Sequence, residues 1–266
     1  MTPKFLFGVN GEIPNSLHVI EDKKLLYIAG HNVILYNIDE RTQFFIPGSE
    51  NSAGINSISV SPSKRFLAIC EVGDVRAMCT IYDITSRKKK RVLPENEYET
   101  HDFTTKTFLS AAFSPKNEKQ HLITLAGEPD WSLLFWQWDQ FKCLFKIDIG
   151  QADLSSMAHL NKKNWQCSVA MLSSELNVIV TGPNTYKFLK VDSNFCAAEM
   201  TITSLDTSDI QVEPVGEHYG VSTNYTCHTW SVDTQRPIVC TDMGDILVLD
   251  YDGTLFKHID HSPRGY

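Results

Sequence analysis

Short apolar stretches alternate with polar turns along the chain, and one order of parts recurs about every 40 residues, the length of one four-stranded propeller blade. In one copy Ile55-Asn56-Ser57-Ile58-Ser59-Val60 alternates apolar and polar positions, and Ser61-Pro62-Ser63-Lys64 follows. Period two predicts a strand with one buried face, and the Ser-Pro stretch predicts a turn. Phe66-Leu67-Ala68-Ile69-Cys70 is then apolar without interruption, which suits a strand buried on both faces. Cys79-Thr80-Ile81-Tyr82-Asp83-Ile84 supplies a third strand, and the copy closes on basic residues with Val92-Leu93.

The next copy repeats the order with Phe108-Leu109-Ser110-Ala111-Ala112-Phe113, the turn Ser114-Pro115-Lys116-Asn117, the run His121-Leu122-Ile123-Thr124-Leu125-Ala126, and Leu133-Leu134-Phe135-Trp136-Gln137-Trp138-Asp139. Aligning the two sets Tyr82-Asp83 against Trp138-Asp139, an aromatic-Asp pair closing the third strand, which is the dipeptide that names WD repeats. An Asp there is expected to bond within its own blade. Weaker copies precede and follow, giving blades at about 15–48, 55–95, 107–150, 165–202 and 224–262 of a single domain. The class is all-β, a WD-repeat β-propeller with about five four-stranded blades. Five blades with exposed strand edges predict an incomplete ring, with further blades supplied beyond residue 266 or by a partner. Polar inserts fall at about 94–106, 151–166 and 203–223, and a short helix at 153–160 is the one helical expectation.

Composition narrows the function. Hydrophobic residues make up 42% of the 266, enough to build a core rather than a disordered chain. The net charge of −8 works against a grip on nucleic-acid phosphates. No apolar run approaches the roughly 20 residues of a membrane-spanning helix, and no signal-peptide core follows Met1-Thr2-Pro3-Lys4. A cytoplasmic protein with neither nucleic-acid nor membrane partners is expected.

The cysteines (Cys70, Cys79, Cys143, Cys167, Cys196, Cys227, Cys240) contain no Cys-x-x-Cys pair and read as reduced core thiols. His258 with His261 is the nearest approach to metal-ligand spacing, so no metal and no cofactor is expected. Catalysis finds no support either. His228 beside Trp230 has no nucleophile elbow, Asp206 with Asp209 and Glu213 with Glu217 lie in a polar loop, and the glycines stand singly at turns. A glycosidase-type propeller would need acidic side chains on the inner strands, where Ile55 to Val60 and Phe108 to Phe113 are mostly small and apolar.

Particular residues carry a closer resemblance. Tyr36-Asn37-Ile38-Asp39 leads to Phe45-Ile46-Pro47-Gly48-Ser49-Glu50; Arg65-Phe66-Leu67-Ala68-Ile69, Thr80-Ile81-Tyr82-Asp83 and Ala112-Phe113-Ser114-Pro115 follow. Val180-Thr181-Gly182, Lys187-Phe188-Leu189, Cys227-His228-Thr229-Trp230 and Thr241-Asp242-Met243-Gly244-Asp245 complete the order. In these the chain resembles the N-terminal propeller of the cilia- and flagella-associated protein 57 family. The resemblance implies a scaffold of the ciliary axoneme and cytoskeleton that helps place inner dynein arms on doublet microtubules. Inner-arm and regulatory-complex components, tubulin, and a paralogue completing the ring are the partners it implies. The family's coiled coil has no counterpart here. A generic cytosolic adaptor, such as a ubiquitin-ligase substrate receptor, is the rival reading.

Arg87, Lys88, Lys89, Lys90 and Arg91 form the sharpest surface feature, five successive positive charges on an acidic protein. They are expected either to attract an anionic partner, such as acidic tubulin tails, or to be a solvated strand face. The 203–223 loop and an exposed Trp131 with Asp130 are further expected contacts.

Overall fold

The computed structural model describes residues 5–94, 104–150, 165–172, 175–192, 201–203 and 224–259. Among them, five four-stranded antiparallel sheets follow one another along the chain. Blade 1 is β1 (Leu17–Glu21), β2 (Lys24–Ala29), β3 (Asn32–Asn37) and β4 (Thr42–Pro47). Blade 2 is β5 (Ser52–Val60), β6 (Phe66–Gly73), β7 (Met78–Asp83) and β8 (Lys88–Leu93). Blade 3 is β9 (Phe108–Phe113), β10 (His121–Ala126), β11 (Ser132–Gln137) and β12 (Lys142–Asp148), with a 3-10 turn at Trp138–Gln140. Blade 4 is β13 (Gln166–Leu172), β14 (Glu175–Gly182), β15 (Thr185–Asp192) and β16 (Thr201–Thr203), and blade 5 is β17 (Tyr225–Trp230), β18 (Pro237–Thr241), β19 (Ile246–Leu249) and β20 (Leu255–Ile259). The expected all-β architecture of about five four-stranded blades is what forms.

Consecutive strands of each blade pair antiparallel as a meander, and the middle strands of blade 3, like β6 of blade 2, are buried on both faces. The β14–β15 hairpin closes on Pro183-Asn184 between the paired Gly182 and Thr185, with Asn184 in the left-handed region at φ 50. Proline followed by a residue tolerant of positive φ fits such a turn. In β6 successive side chains go to opposite neighbours. Leu67 and Ile69 join Leu26, Ile28, Val33 and Ile58 in the core between blades 1 and 2. Phe66, Ala68 and Cys70 join Phe108, Leu122, Leu134 and Trp136 between blades 2 and 3. Each fully buried Leu, Ile or Phe contributes about 1.5–3 kcal/mol of transfer free energy, so the stacking of blades is the main stabilising interaction.

The chain divides into two compact units, Met1–Asp148 with blades 1 to 3 and Ile149–Tyr266 with blades 4 and 5. Within the second, Ile179, Tyr186 and Phe188 of blade 4 pack on Tyr225, Val239, Leu247 and Leu249 of blade 5. Trp131, Trp136, Trp138 and Trp165 are all buried, and Trp136 donates its indole N–H to Thr124 Oγ1 at 2.8 Å inside the core. Among the described residues no helix is long and apolar enough to cross a membrane.

Candidate functional site

β8 is the outer strand of blade 2 and pairs with β7 alone, yet its basic residues do not act as one surface. Arg87, in the preceding turn at φ 54, lays its guanidinium over Phe44 of blade 1, 4.8 Å from the ring centroid. Arg91 lies over Phe141 of blade 3 at 4.6 Å. Lys90 approaches the Asp83 carboxylate at 3.8 Å. Lys88 and Lys89 are exposed and form no ion pair among the described residues. Of five charges, two arginines reach to opposite neighbouring blades, one lysine serves its own blade, and two lysines face solvent.

Asp83 ends β7 at 1% exposure. Its Oδ2 accepts from Arg65 Nε at 3.2 Å and Nη2 at 3.1 Å, and Oδ1 accepts from the Ser86 backbone N–H at 2.9 Å. Burial pushes the carboxyl up, but the Ser86 N–H and the Arg65 guanidinium prevail and hold it below the usual carboxylate range. Tyr82, half-buried, has its phenol raised by burial and then by the nearby charge of Glu71.

Trp138-Asp139 does not occupy the matching place. β11 ends at Gln137 and the pair lies in the 3-10 turn. Ser61 N bonds to Phe66 O as Ser114 N bonds to His121 O, and Ile84 N bonds to Arg65 O as Trp138 N bonds to Gln120 O. Those equivalences put Trp136-Gln137, not Trp138-Asp139, where blade 2 has Tyr82-Asp83. The Ser-Pro turn of blade 3 is two residues longer than that of blade 2 and its β10–β11 hairpin one residue shorter than β6–β7, so β11 ends at Gln137, opposite His121, before the Trp138-Asp139 pair. Asp139 Oδ1 is buried without a hydrogen bond, its charge opposing the lowering that burial imposes on His121.

Trp131 is not exposed, contrary to its expected contact role. Left-handed backbone at φ 38 turns the indole inward to 7% exposure, and its backbone N–H bonds to Gly127 O at 3.0 Å. Asp130 is a clasp, its Oδ2 accepting from the N–H groups of Thr104 and Thr105, each at 2.6 Å, with Lys146 3.5 Å from Oδ1. Asp206, Asp209, Glu213, Glu217, His261 and the helix expected at 153–160 lie outside the described residues.

Two polar sites went unrecognised in the sequence. Glu71, 1% exposed, accepts from Ser49 N at 2.6 Å, Ser49 Oγ at 2.8 Å and Thr80 Oγ1 at 3.3 Å, with His31 Nε2 3.5 Å away. A Cβ on Gly48 would collide with the His31 ring. The Pro47-Gly48-Ser49 stretch is thus a packing device between blades 1 and 2. The second site is a cleft of about 470 Å³ lined by Glu175, Asn177, Lys190, Asp233, Thr234 and Tyr251, with Gln235. Asn177 is 1% exposed, and neither its Oδ1 nor its Nδ2 has a hydrogen-bond partner. The amide's two N–H donors and its carbonyl acceptor are enclosed at the cleft wall, unmet by the protein.

His228 stands between blades 4 and 5. Its Nδ1 is 2.7 Å from Thr181 Oγ1 and its Nε2 2.6 Å from Ser168 Oγ, which also accepts from Trp230 Nε1 at 2.8 Å. In the neutral ring one nitrogen donates and the other accepts, so the two hydroxyls take opposite roles. Burial pushes the imidazole down to about 4, so the ring is neutral at pH 7 and both nitrogens are occupied. The arrangement is a crosslink between blades. His258 is likewise engaged, by Asp245 Oδ1 at 2.9 Å, and among the described residues no three His, Cys, Asp or Glu side chains cluster as a metal site.

No protein-family model matches the chain. It is 29% identical to cilia- and flagella-associated protein 57 of Mus musculus over 247 residues, 92% of the chain and 17% of that protein. Cilia- and flagella-associated protein 57 C of Tetrahymena thermophila is 25% identical across 98% of the chain and 22% of its own length. Cilia- and flagella-associated protein 44 of Mus musculus matches 53% of the chain at 27% identity. The chain therefore spans about a fifth of the length of the curated proteins it matches over most of its own. Among solved structures, the Myceliophteria thermophila Cps50 (Swd1) β-propeller domain superposes on 77% of the chain with a TM-score of 0.52 and 10% identity, covering 55% of that domain. At that identity the likeness is one of fold. Sequence and fold agree: the chain is similar to cilia- and flagella-associated protein 57 over most of its own length and is built as successive blades of a WD-type β-propeller.

Proposed function

We propose that the protein is a non-catalytic scaffold of the ciliary axoneme, whose blade rims and clefts hold other proteins so that inner dynein arms are placed on doublet microtubules. One observation carries this reading: the similarity to cilia- and flagella-associated proteins extends over almost the whole chain. The polar sites favour binding over chemistry. His228 has both ring nitrogens engaged, and Glu71 is held by Ser49 and Thr80. Among the described residues, the cleft beside Asn177 and the exposed Lys88 and Lys89 are open to a partner.

The test is fractionation of cilia carrying the endogenously tagged protein, before and after detergent stripping, followed by crosslinking mass spectrometry on the stripped axonemes. Retention with crosslinks to inner-arm components is the expected result. Recovery only in the soluble cell body would overturn the axonemal reading and favour a cytosolic adaptor, and retention with crosslinks confined to other structures would overturn the dynein-arm role.

A further inference from the structure

β17 and β18 place Cys227 directly opposite Cys240. Opposed residues of an antiparallel pair have Cα atoms about 4.5–5.5 Å apart and side chains on one face, inside the roughly 4.4–6.8 Å that a disulfide spans. The two thiols are near enough for Cys227 to raise the Cys240 thiol. Cys227 is exposed and Cys240 half-buried. Their neighbours fix this orientation: His228 and Trp230 are turned to Ser168 of blade 4, so Cys227, between them and the β-bulge at Tyr225, is left on the opposite face of blade 5.

We propose that Cys227 and Cys240 form a surface dithiol site that takes small-molecule disulfides, glutathione disulfide among them, by thiol exchange. Cys227, as thiolate, attacks one sulfur of the incoming disulfide; a Cys227–S–S–R bond forms and one thiolate leaves, taking a proton from water. Cys240 then gives its proton to solvent and attacks Cys227 Sγ, forming the Cys227–Cys240 disulfide and releasing the second small thiol. The protein dithiol is oxidised by two electrons and the incoming disulfide is reduced to two thiols. Burial and the adjoining Cys227 push the Cys240 thiol up to about 11, so Cys240 waits protonated while the exposed Cys227 attacks first. Thiol excess runs both steps backwards.

A second cross-strand pair provides an internal comparison. Cys70 opposes Cys79 in β6–β7, but both are 0% exposed in the core between blades 2 and 3. Register alone makes both pairs bridgeable, and access admits an oxidant to one.

The full chain is incubated with glutathione disulfide, quenched with an alkylating agent, and mapped by mass spectrometry. The expected product is a Cys227–Cys240 link, with Cys70 and Cys79 alkylated only after denaturation. Cys240→Ser is expected to stop halfway, accumulating a glutathione adduct on Cys227, and Cys227→Ser to lose both adduct and link. Circular dichroism of each variant confirms that the blades are folded. A wild-type chain that keeps glutathione on Cys227 while Cys240 stays free to alkylate overturns the proposal. So does a chain in which neither thiol reacts, or in which Cys70 and Cys79 oxidise as fast.

Discussion

Asn177 keeps both amide atoms unpaired inside the second unit, and an unmet buried polar group costs about 1–3 kcal/mol. Asn177→Leu removes that cost at nearly constant volume, so a rise of a few degrees in the thermal midpoint is expected. If the cleft grips a partner's backbone, the same variant is retained less well on stripped axonemes. A gain in stability coupled to a loss of retention separates a binding residue from a packing one. His228 makes the opposite demand. It binds a proton at about 4 when folded against 6.5 ordinarily, so between those values the unfolded chain carries more protons. Stability is full above pH 6.5 and falls as pH drops toward 4, after which this contribution levels off. His228→Gln is expected to lose about 1–3 kcal/mol at pH 7 and to flatten that slope, read from urea midpoints at pH 7 and pH 5. Little of this was legible in the sequence. A histidine followed by Thr229 and Trp230 gives no sign of Ser168 and Thr181, which lie 60 and 47 residues away in the chain.

Elements were far easier to read. Period-two alternation and the Ser-Pro turns located β5, β6, β9 and β10, because a blade strand must bury one face or both and its turn must be polar. Equivalence between blades was harder, since an aromatic-Asp pair just beyond the end of β11 matches Tyr82-Asp83 by eye, while the ladder pairs Asp83 with Phe66 and Gln137 with His121. The basic run misled in another way. Five like charges in a row look uniform, but strand alternation and the bulge between Ile81 and Tyr82 distribute them among different neighbours. Arg87→Ala and Arg91→Ala are each expected to cost about 0.5–1 kcal/mol through the lost guanidinium–ring contacts. Replacing Lys88 and Lys89 together by Glu should leave the chemical-denaturation midpoint within about 0.5 kcal/mol of wild type. That charge reversal should instead weaken capture of an acidic peptide such as polyglutamate, and wild-type capture should decline with added salt. Equal stability losses from all four positions would rule out this division of labour.

For the molecule as a whole, the repeat itself carried the fold, because stacked four-stranded sheets need the same apolar and polar order in every copy. Each blade then depends on its neighbour rather than on one central core. Ile28, fully buried between blades 1 and 2, is a position where Ile28→Ala should cost about 2–4 kcal/mol.

The burial of the indoles turns that substitution into an optical experiment. All five tryptophans fall at Trp131, Trp136, Trp138, Trp165 and Trp230, so blades 1 and 2 are dark while blade 3 supplies three of the emitters, Trp136 with its N–H bonded inside the core. Far-ultraviolet ellipticity sees every strand, but intrinsic emission reports from the core between blades 2 and 3 onward, where Trp136 and Trp138 pack. When the Ile28→Ala chain is melted, coincident midpoints from the two signals mean that a defect in blade 1 is felt across blades it does not touch. An emission midpoint that stays at the wild-type temperature while ellipticity begins to fall means that blade 1 comes apart first, with the core shared by blades 2 and 3 still closed on Trp136 and Trp138.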